Sequence, residues 1–153
     1  MDPAALCAAI VLASSTGDLK LYDWQQQNAC EYSEIIIDSA KDGGIDPILL
    51  AAVIYIESRF SPKAVSSADA CGLTQVVHHY SPYSCKELQR PHTAIPEGVR
   101  MLNAWESYLV KTKRSTRLES VLACYASGRR CRAPRYVRAV KWVRHKISEA
   151  LTR

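Results

Sequence analysis

Asp46-Pro47-Ile48-Leu49-Leu50-Ala51-Ala52-Val53-Ile54-Tyr55-Ile56-Glu57 reads as one helix, opened by an aspartate cap with proline at the first helical position. No charge falls between Pro47 and Ile56, so the segment is apolar nearly all round and is expected to run through the centre of a core. Ser61-Pro62 is expected to end it, because the residue before proline avoids helical geometry. A lone carboxyl group, Glu57, then closes a buried helix. Burial without a nearby cation raises a carboxyl pKa, which would keep Glu57 protonated near neutrality and equip it as a general acid. Arg59, two residues on, would undo that shift if it folded back.

Working outward, helical patterns dominate and strand-like alternation is almost absent. Residues 31–41 carry the Ile35-Ile36-Ile37 cluster and stop at Gly43-Gly44. Residues 61–94 are rich in Ser, Pro, Gly, Cys and His and are expected as loop with one short helix. From Pro96, the residues Val99, Leu102, Trp105 and Leu109 trace an apolar stripe. Residues 117–125 form a short helix closed by Gly128. After Pro134, the residues Val137, Val140, Val143, Ile147 and Leu151 recur every three or four positions, with Arg135, Arg138, Lys141, Arg144 and Lys146 opposite. At the N-terminus, Ala4 to Ala13 has the look of a signal-peptide core. Met1-Asp2-Pro3 carries an acid and no base, however, which favours a packed helix capped by Asp2 with Pro3 first. The fold expected is mainly α, with at most a small β element.

A chain of 153 residues suits one core, and 48% hydrophobic with 23% charged residues is ordinary globular usage. No apolar run approaches the ~20 residues that cross a bilayer. Charge is divided unevenly: residues 1–110 hold 7 Lys and Arg against 13 Asp and Glu, whereas residues 111–153 hold 13 against 2. A basic C-terminal third attracts polyanions, whether nucleic acid, an anionic membrane or an acidic wall polymer. Tyr136 and Trp142 are too few and too core-like to make a base-stacking platform, so nucleic acid is not expected. The even set Cys7, Cys30, Cys71, Cys85, Cys124 and Cys131 suits an oxidising compartment. Short loops make Cys71–Cys85 and Cys124–Cys131 the cheapest closures, leaving Cys7 and Cys30 to pair or stay free. Zinc is the rival account, since Cys71, His78, His79, Cys85 and His92 fall in one segment. No CxxC or HxxxH spacing supports it.

The string around Glu57 adds a family resemblance. Glu57-Ser58-Arg59-Phe60-Ser61-Pro62, then Ala64-Val65-Ser66-Ser67-Ala68, then Gly72-Leu73-Thr74-Gln75, resembles the soluble lytic transglycosylase (SLT) domain, which is related to goose-type lysozymes. The family pattern runs E-S-x-[FW]-x-P, A-V-S-x-x-G-A, G-L-M-Q and later A-Y-N-x-G. Cys124-Tyr125-Ala126-Ser127-Gly128 is similar to the last of these, and the Tyr136-Val137-Arg138-Ala139-Val140 helix follows. The likeness covers roughly residues 31–150, which sets residues 1–30 apart as an N-terminal helical extension and residues 31–153 as the transglycosylase-like domain. It implies a lysozyme-like helical fold with a loop-rich cleft.

The resemblance also implies roles. Glu57 takes the place of the single catalytic acid/base, Ser66 of the serine bonded to substrate near its N-acetyl group, and Gln75 of the glutamine lining the saccharide cleft. Tyr125 takes the place of the tyrosine whose hydroxyl faces the catalytic carboxyl. Read alone, Ser66 and Gln75 are loop-capping polar groups and Tyr125 a core aromatic. Thr74 stands for the usual methionine, implying a more polar cleft, and Ala126 for the usual asparagine, removing a loop anchor that a Cys124–Cys131 bridge would replace. Asp69 is the nearest following acid and reads as a surface charge. Ordinary glycosidases need two carboxylates, whereas the family mechanism uses one on peptidoglycan and needs no cofactor and no metal. The expected partners are glycan strands, with an acidic envelope polymer for the basic helix, and the expected state is a monomer. The expected location is the bacterial envelope or periplasm, or a secreted or virion-borne particle of a bacteriophage or secretion system. A hydrolytic lysozyme and a catalytically weak peptidoglycan-binding module are the alternatives.

Overall fold

Eight helices and one two-stranded ribbon make up the chain in a computed structural model that describes residues 1–153. The helices are α1 (Pro3–Ser15), α2 (Asp23–Glu31), α3 (Ser33–Asp42), α4 (Pro47–Ser58), α5 (Cys85–Leu88), α6 (Pro91–Lys111), α7 (Leu118–Ser127) and α8 (Pro134–Leu151). The ribbon pairs β1 (Ala70–Cys71) with β2 (Val76–Val77) in antiparallel register, Ala70 opposite Val77 and Cys71 opposite Val76. The domain is therefore mainly α-helical with a small β element, consistent with a lysozyme-like fold. No helix is long and apolar enough to cross a membrane.

Helix α4 is the axis of the core. Asp46 caps it by accepting the Ile48 N–H at 3.0 Å, and every residue from Leu49 to Tyr55 is buried. Helices α3 and α8 pack along it, and α1 lies across α8. The α8 stripe points inward as its periodicity predicts, with Val137, Val140, Val143 and Ile147 buried. In α1 the Asp2 cap holds the Ala4 N–H at 3.2 Å, and Leu6, Ala9, Ile10 and Ala13 join the same core. Disulfides Cys7–Cys30, Cys71–Cys85 and Cys124–Cys131 use every cysteine. Cys71 and Cys85 are thus withdrawn from any zinc set.

Two boundaries, one element and one burial differ from expectation. Helix α4 stops at Ser58 rather than at Ser61-Pro62, because Arg59 (φ 49°) and Phe60 (φ 60°) turn the chain left-handed. Two such residues in a row are costly without glycine. Phe60 is fully buried and its carbonyl accepts the Asn28 amide at 2.9 Å, which is what holds the turn. Helix α6 starts at Pro91 rather than Pro96. Pro91 sits at the first helical position, and Pro96, one turn in, forfeits only the bond to the His92 carbonyl. Helix α2, rich in Gln and Asn, carries too little apolar pattern to be legible. Trp142 is not core-like: it is 47% exposed, with Lys146 Nζ 6.0 Å from its ring centroid.

Candidate active site

Glu57 lies in the last turn of α4, half-buried, where the left-handed turn at Arg59 and Phe60 carries the backbone away from it. Its Oε1 accepts the Tyr136 hydroxyl at 2.6 Å. Burial pushes its carboxyl from the ordinary 4.5 up to about 7, and the Tyr136 bond, which favours the ionised form, holds it from rising further. Arg59 does not fold back; its guanidinium sits 5.9 Å from the Tyr55 ring centroid. Neither a cation nor a second carboxyl group is paired with Glu57. At neutral pH this group is near half-protonated, so it can both give and take a proton.

Two tyrosines converge here from different helices. Tyr136 comes from the first turn of α8, and Tyr125 from near the end of α7. Burial, and then the Glu57 charge, raise both phenols well above their ordinary value, so both stay neutral donors. The resemblance gave Tyr125 the hydroxyl that faces the carboxyl. In the structure Tyr125 donates to the Thr74 carbonyl at 2.6 Å, and the hydroxyl on Glu57 belongs to Tyr136. Next to Glu57, Ser58 donates to the Leu73 carbonyl at 2.8 Å. Residues 73–74 thereby tie the end of α4 to the end of α7.

Gln75 adopts a left-handed φ of 51°, and its amide nitrogen donates to the Ala64 and Gly72 carbonyls, both at 3.0 Å. It shares with Tyr125 a pocket of about 210 Å³ whose other walls include Val76, Tyr80, Met101, Trp105 and Ala126. Glu57 and Ser66 do not line that pocket. The Ser66 oxygen accepts the N–H groups of Ala68 at 3.2 Å and Ala70 at 3.1 Å, leaving its own proton unclaimed by the protein. Tyr80 is 79% exposed at the rim. A larger concavity of about 520 Å³, bordered by Glu31, Glu34, Asp38 and His92, holds none of these groups.

Thr74 does not make the cleft more polar. It is fully buried, and its hydroxyl donates to the Ala94 carbonyl of α6 at 2.7 Å. The loop after α7 is pinned by the Cys124–Cys131 bridge and also by Ser127, whose hydroxyl donates to the Ala123 carbonyl at 2.7 Å and accepts the Arg132 N–H at 2.8 Å. Sequence reasoning missed Tyr136, Ser127 and Glu97. Glu97 is only 3% exposed and accepts Arg100 Nε at 2.8 Å and Ser81 at 3.0 Å. Burial pushes Glu97 up, but those hydrogen bonds outweigh it and hold the carboxyl below its ordinary value. The i,i+3 spacing of Glu97 and Arg100 was the available signal. Asp69, His78 and His79 each bring one donor atom to a group spanning no more than 4.8 Å.

Residues 34–146 match the family described as Transglycosylase SLT domain. The chain is 32% identical over 116 residues to "Membrane-bound lytic murein transglycosylase C" of Photorhabdus laumondii, covering 67% of this chain and 32% of that protein. Proteins of the same name from Yersinia enterocolitica and Klebsiella pneumoniae are 42% identical over 53 residues, covering 35% of this chain and 15% of theirs. The chain thus spans about a third of the length of the first relative, by the matched 32%.

Proposed function

The chain belongs to the transglycosylase SLT domain family, and from that premise we propose that it cleaves peptidoglycan between N-acetylmuramic acid and N-acetylglucosamine, using Glu57 as the one acid and base. The observation that carries the reading is the Glu57 carboxyl raised to about 7 with a hydroxyl, not a charge, as its partner. Protonated Glu57 donates to the glycosidic oxygen, and the C1–O bond breaks as the substrate's N-acetyl carbonyl stabilises the cationic anomeric carbon. The resulting carboxylate takes the proton of the muramyl C6 hydroxyl, and O6 bonds to C1 as a 1,6-anhydro ring. Every atom of the bond exchange comes from the sugar, and Glu57 ends protonated as it began.

Tyr136 orients the carboxyl, and the free Ser66 proton is suited to an N-acetyl carbonyl. Gln75 and Tyr125, with Trp105 and Tyr80 beside them, offer apolar and aromatic surface for a sugar ring. A hydrolase of the usual two-carboxylate kind would need a second carboxylate as base or nucleophile. Glu97, the other buried candidate, is already engaged by Arg100 and Ser81. Residues 1–30 are proposed as an N-terminal extension of a transglycosylase-like unit at 31–153, a boundary supported by the family match beginning at residue 34. The location proposed is the bacterial envelope or a particle that meets it, with the protein acting as a monomer on glycan strands and not on nucleic acid.

Purified sacculi test the assignment. The wild type is expected to release muropeptides ending in 1,6-anhydro-N-acetylmuramic acid by mass spectrometry, and Glu57→Gln is expected to lower release at least about a thousandfold while still sedimenting with sacculi. Reducing ends in place of anhydro ends would make it a lysozyme. Binding without release by the wild type would make it a binding module.

A further inference from the structure

We propose that Asp69, His78 and His79 form a binding site for a divalent transition metal, best suited to zinc, that clasps the β1–β2 ribbon. Two imidazoles and one carboxylate are a donor set that zinc accepts, leaving a fourth position for water. The three donor atoms already lie within 4.8 Å of one another, and His79 Nε2 is 3.4 Å from Asp69 Oδ2. A tetrahedral zinc with bonds of about 2.0–2.1 Å holds its ligand atoms about 3.3 Å apart. One edge of that tetrahedron is therefore formed, and rotation of side chains closes the others.

The backbone beneath is fixed. Asp69 is held left-handed at φ 59°, with its N–H on the Ser66 carbonyl at 3.1 Å. The ribbon ladder sets β1 against β2, and the Cys71–Cys85 disulfide ties β1 to α5, so Asp69 and His78, which flank the ladder, are held close. Pre-organisation of this kind lowers the entropic cost of gathering ligands. The Asp69 and His79 side chains are 61% and 62% exposed, which gives an ion access. A plain surface ion pair accounts for Asp69 and His79 but not for His78. His78 is half-buried, its ring centroid 4.0 Å from that of His79 at a tilt of 35°, with no protein hydrogen-bond partner. A metal gives all three a purpose. Because Ser66 caps the same turn through Ala68 and Ala70, a bound ion stiffens the segment that presents Ser66. The inference does not depend on the role of Glu57.

Calorimetric titration of the oxidised, chelator-stripped chain with zinc chloride tests it. One equivalent is expected to bind with micromolar affinity, raising the melting midpoint by about 8 °C at a hundredfold excess over Kd. Asp69→Ala and His79→Ala are each expected to weaken binding at least about tenfold, and the double variant to abolish it. His92→Ala and His145→Ala should leave it intact. The proposal is overturned by the absence of saturable binding up to about 1 mM zinc, by binding that survives in the double variant, or by binding lost in His92→Ala or His145→Ala.

Discussion

At Glu57 burial pulls the carboxyl toward neutrality and the Tyr136 hydroxyl pulls it back toward charge, and the balance rests at about 7. An acid of that pKa gives a rate that falls about tenfold per unit above pH 7, where the donor has lost its proton. Tyr136→Phe removes the bond that favours the ionised form, so the limb is expected to move upward by about one unit while the maximal rate drops about tenfold. The pH profile of kcat/KM separates the two effects. The same shift bears on stability, and its sign is opposite to that of a paired carboxylate. Below about 4.5, the ordinary glutamate value, both folded and unfolded chains hold the proton and nothing is lost. As pH rises from there to about 7, the unfolded chain releases a proton that the folded chain retains, and folding weakens by an amount on the order of 3 kcal/mol. Glu57→Gln is expected to flatten this window and to be more stable than wild type at pH 8, though not at pH 4. Urea unfolding at the two pH values reads it directly. Stability that rose with pH in the wild type would contradict a buried, neutral carboxyl.

The elements that hold the site meet at two glycines. Gly72 is left-handed at φ 78°, and a Cβ there would fall 1.9 Å from the Leu88 carbonyl oxygen, so no other residue fits between β1 and α5. Gly98 lets α6 approach Thr74: a Cβ at that position would lie 2.5 Å from Thr74 Cγ2. Thr74 in turn provides the carbonyl that accepts Tyr125, so the fit between α6 and residue 74 reaches the pocket. Gly98→Ala is expected to cost about 1–3 kcal/mol by overpacking, measured by denaturant unfolding. In a Thr74→Ala background the contacts with Cγ2 and Oγ1 are gone but Thr74 Cβ still lies 2.6 Å from the added methyl, so that penalty should shrink without vanishing. At this scale the sequence was partly legible. The start of α4 and the inward stripe of α8 are written in local residues, a cap with proline and a period near 3.6. The end of α4 is not local, because Asn28 in α2 holds the turn at Phe60 across the fold. Tyr136 escaped for the same reason. Both tyrosines follow the motif order, and only the crossing of α8 over α4 decides which hydroxyl reaches Glu57.

Over the whole molecule, the split between an acidic first two-thirds and a basic remainder is first used inwardly. Lys141 pairs with Glu119 at 2.6 Å, Arg144 with the α4 cap Asp46 at 2.8 Å, and Lys146 with Asp18 at 3.6 Å and Glu149 at 2.9 Å. The first three of these pairs dock α8 on α7, the start of α4 and the turn after α1, and the last lies within α8; such exposed ion pairs add little energy but set orientation. Arg135 and Arg138 are left exposed without acidic partners, in the first two turns of α8, the first of which directs Tyr136 inward to Glu57. Arg138 also borders a groove of about 510 Å³ with Arg132 and Lys141, over a floor that includes Ala133, Pro134 and Val137. The uncommitted charge therefore sits on the outer wall of the helix that supplies Tyr136, where an acidic polymer would be attracted to it. Such attraction is long-range and screened, with a Debye length of about 10 Å at 0.1 M salt and about 3 Å at 1 M. Arg135→Glu with Arg138→Glu is expected to weaken sacculus binding about tenfold in dilute salt and to converge with wild type near 1 M. The rate per bound enzyme should not change, since neither guanidinium contacts Glu57. Equal retention of the variant and wild type on sacculi at every salt concentration would mean that the basic third serves only to seat α8 on its own fold.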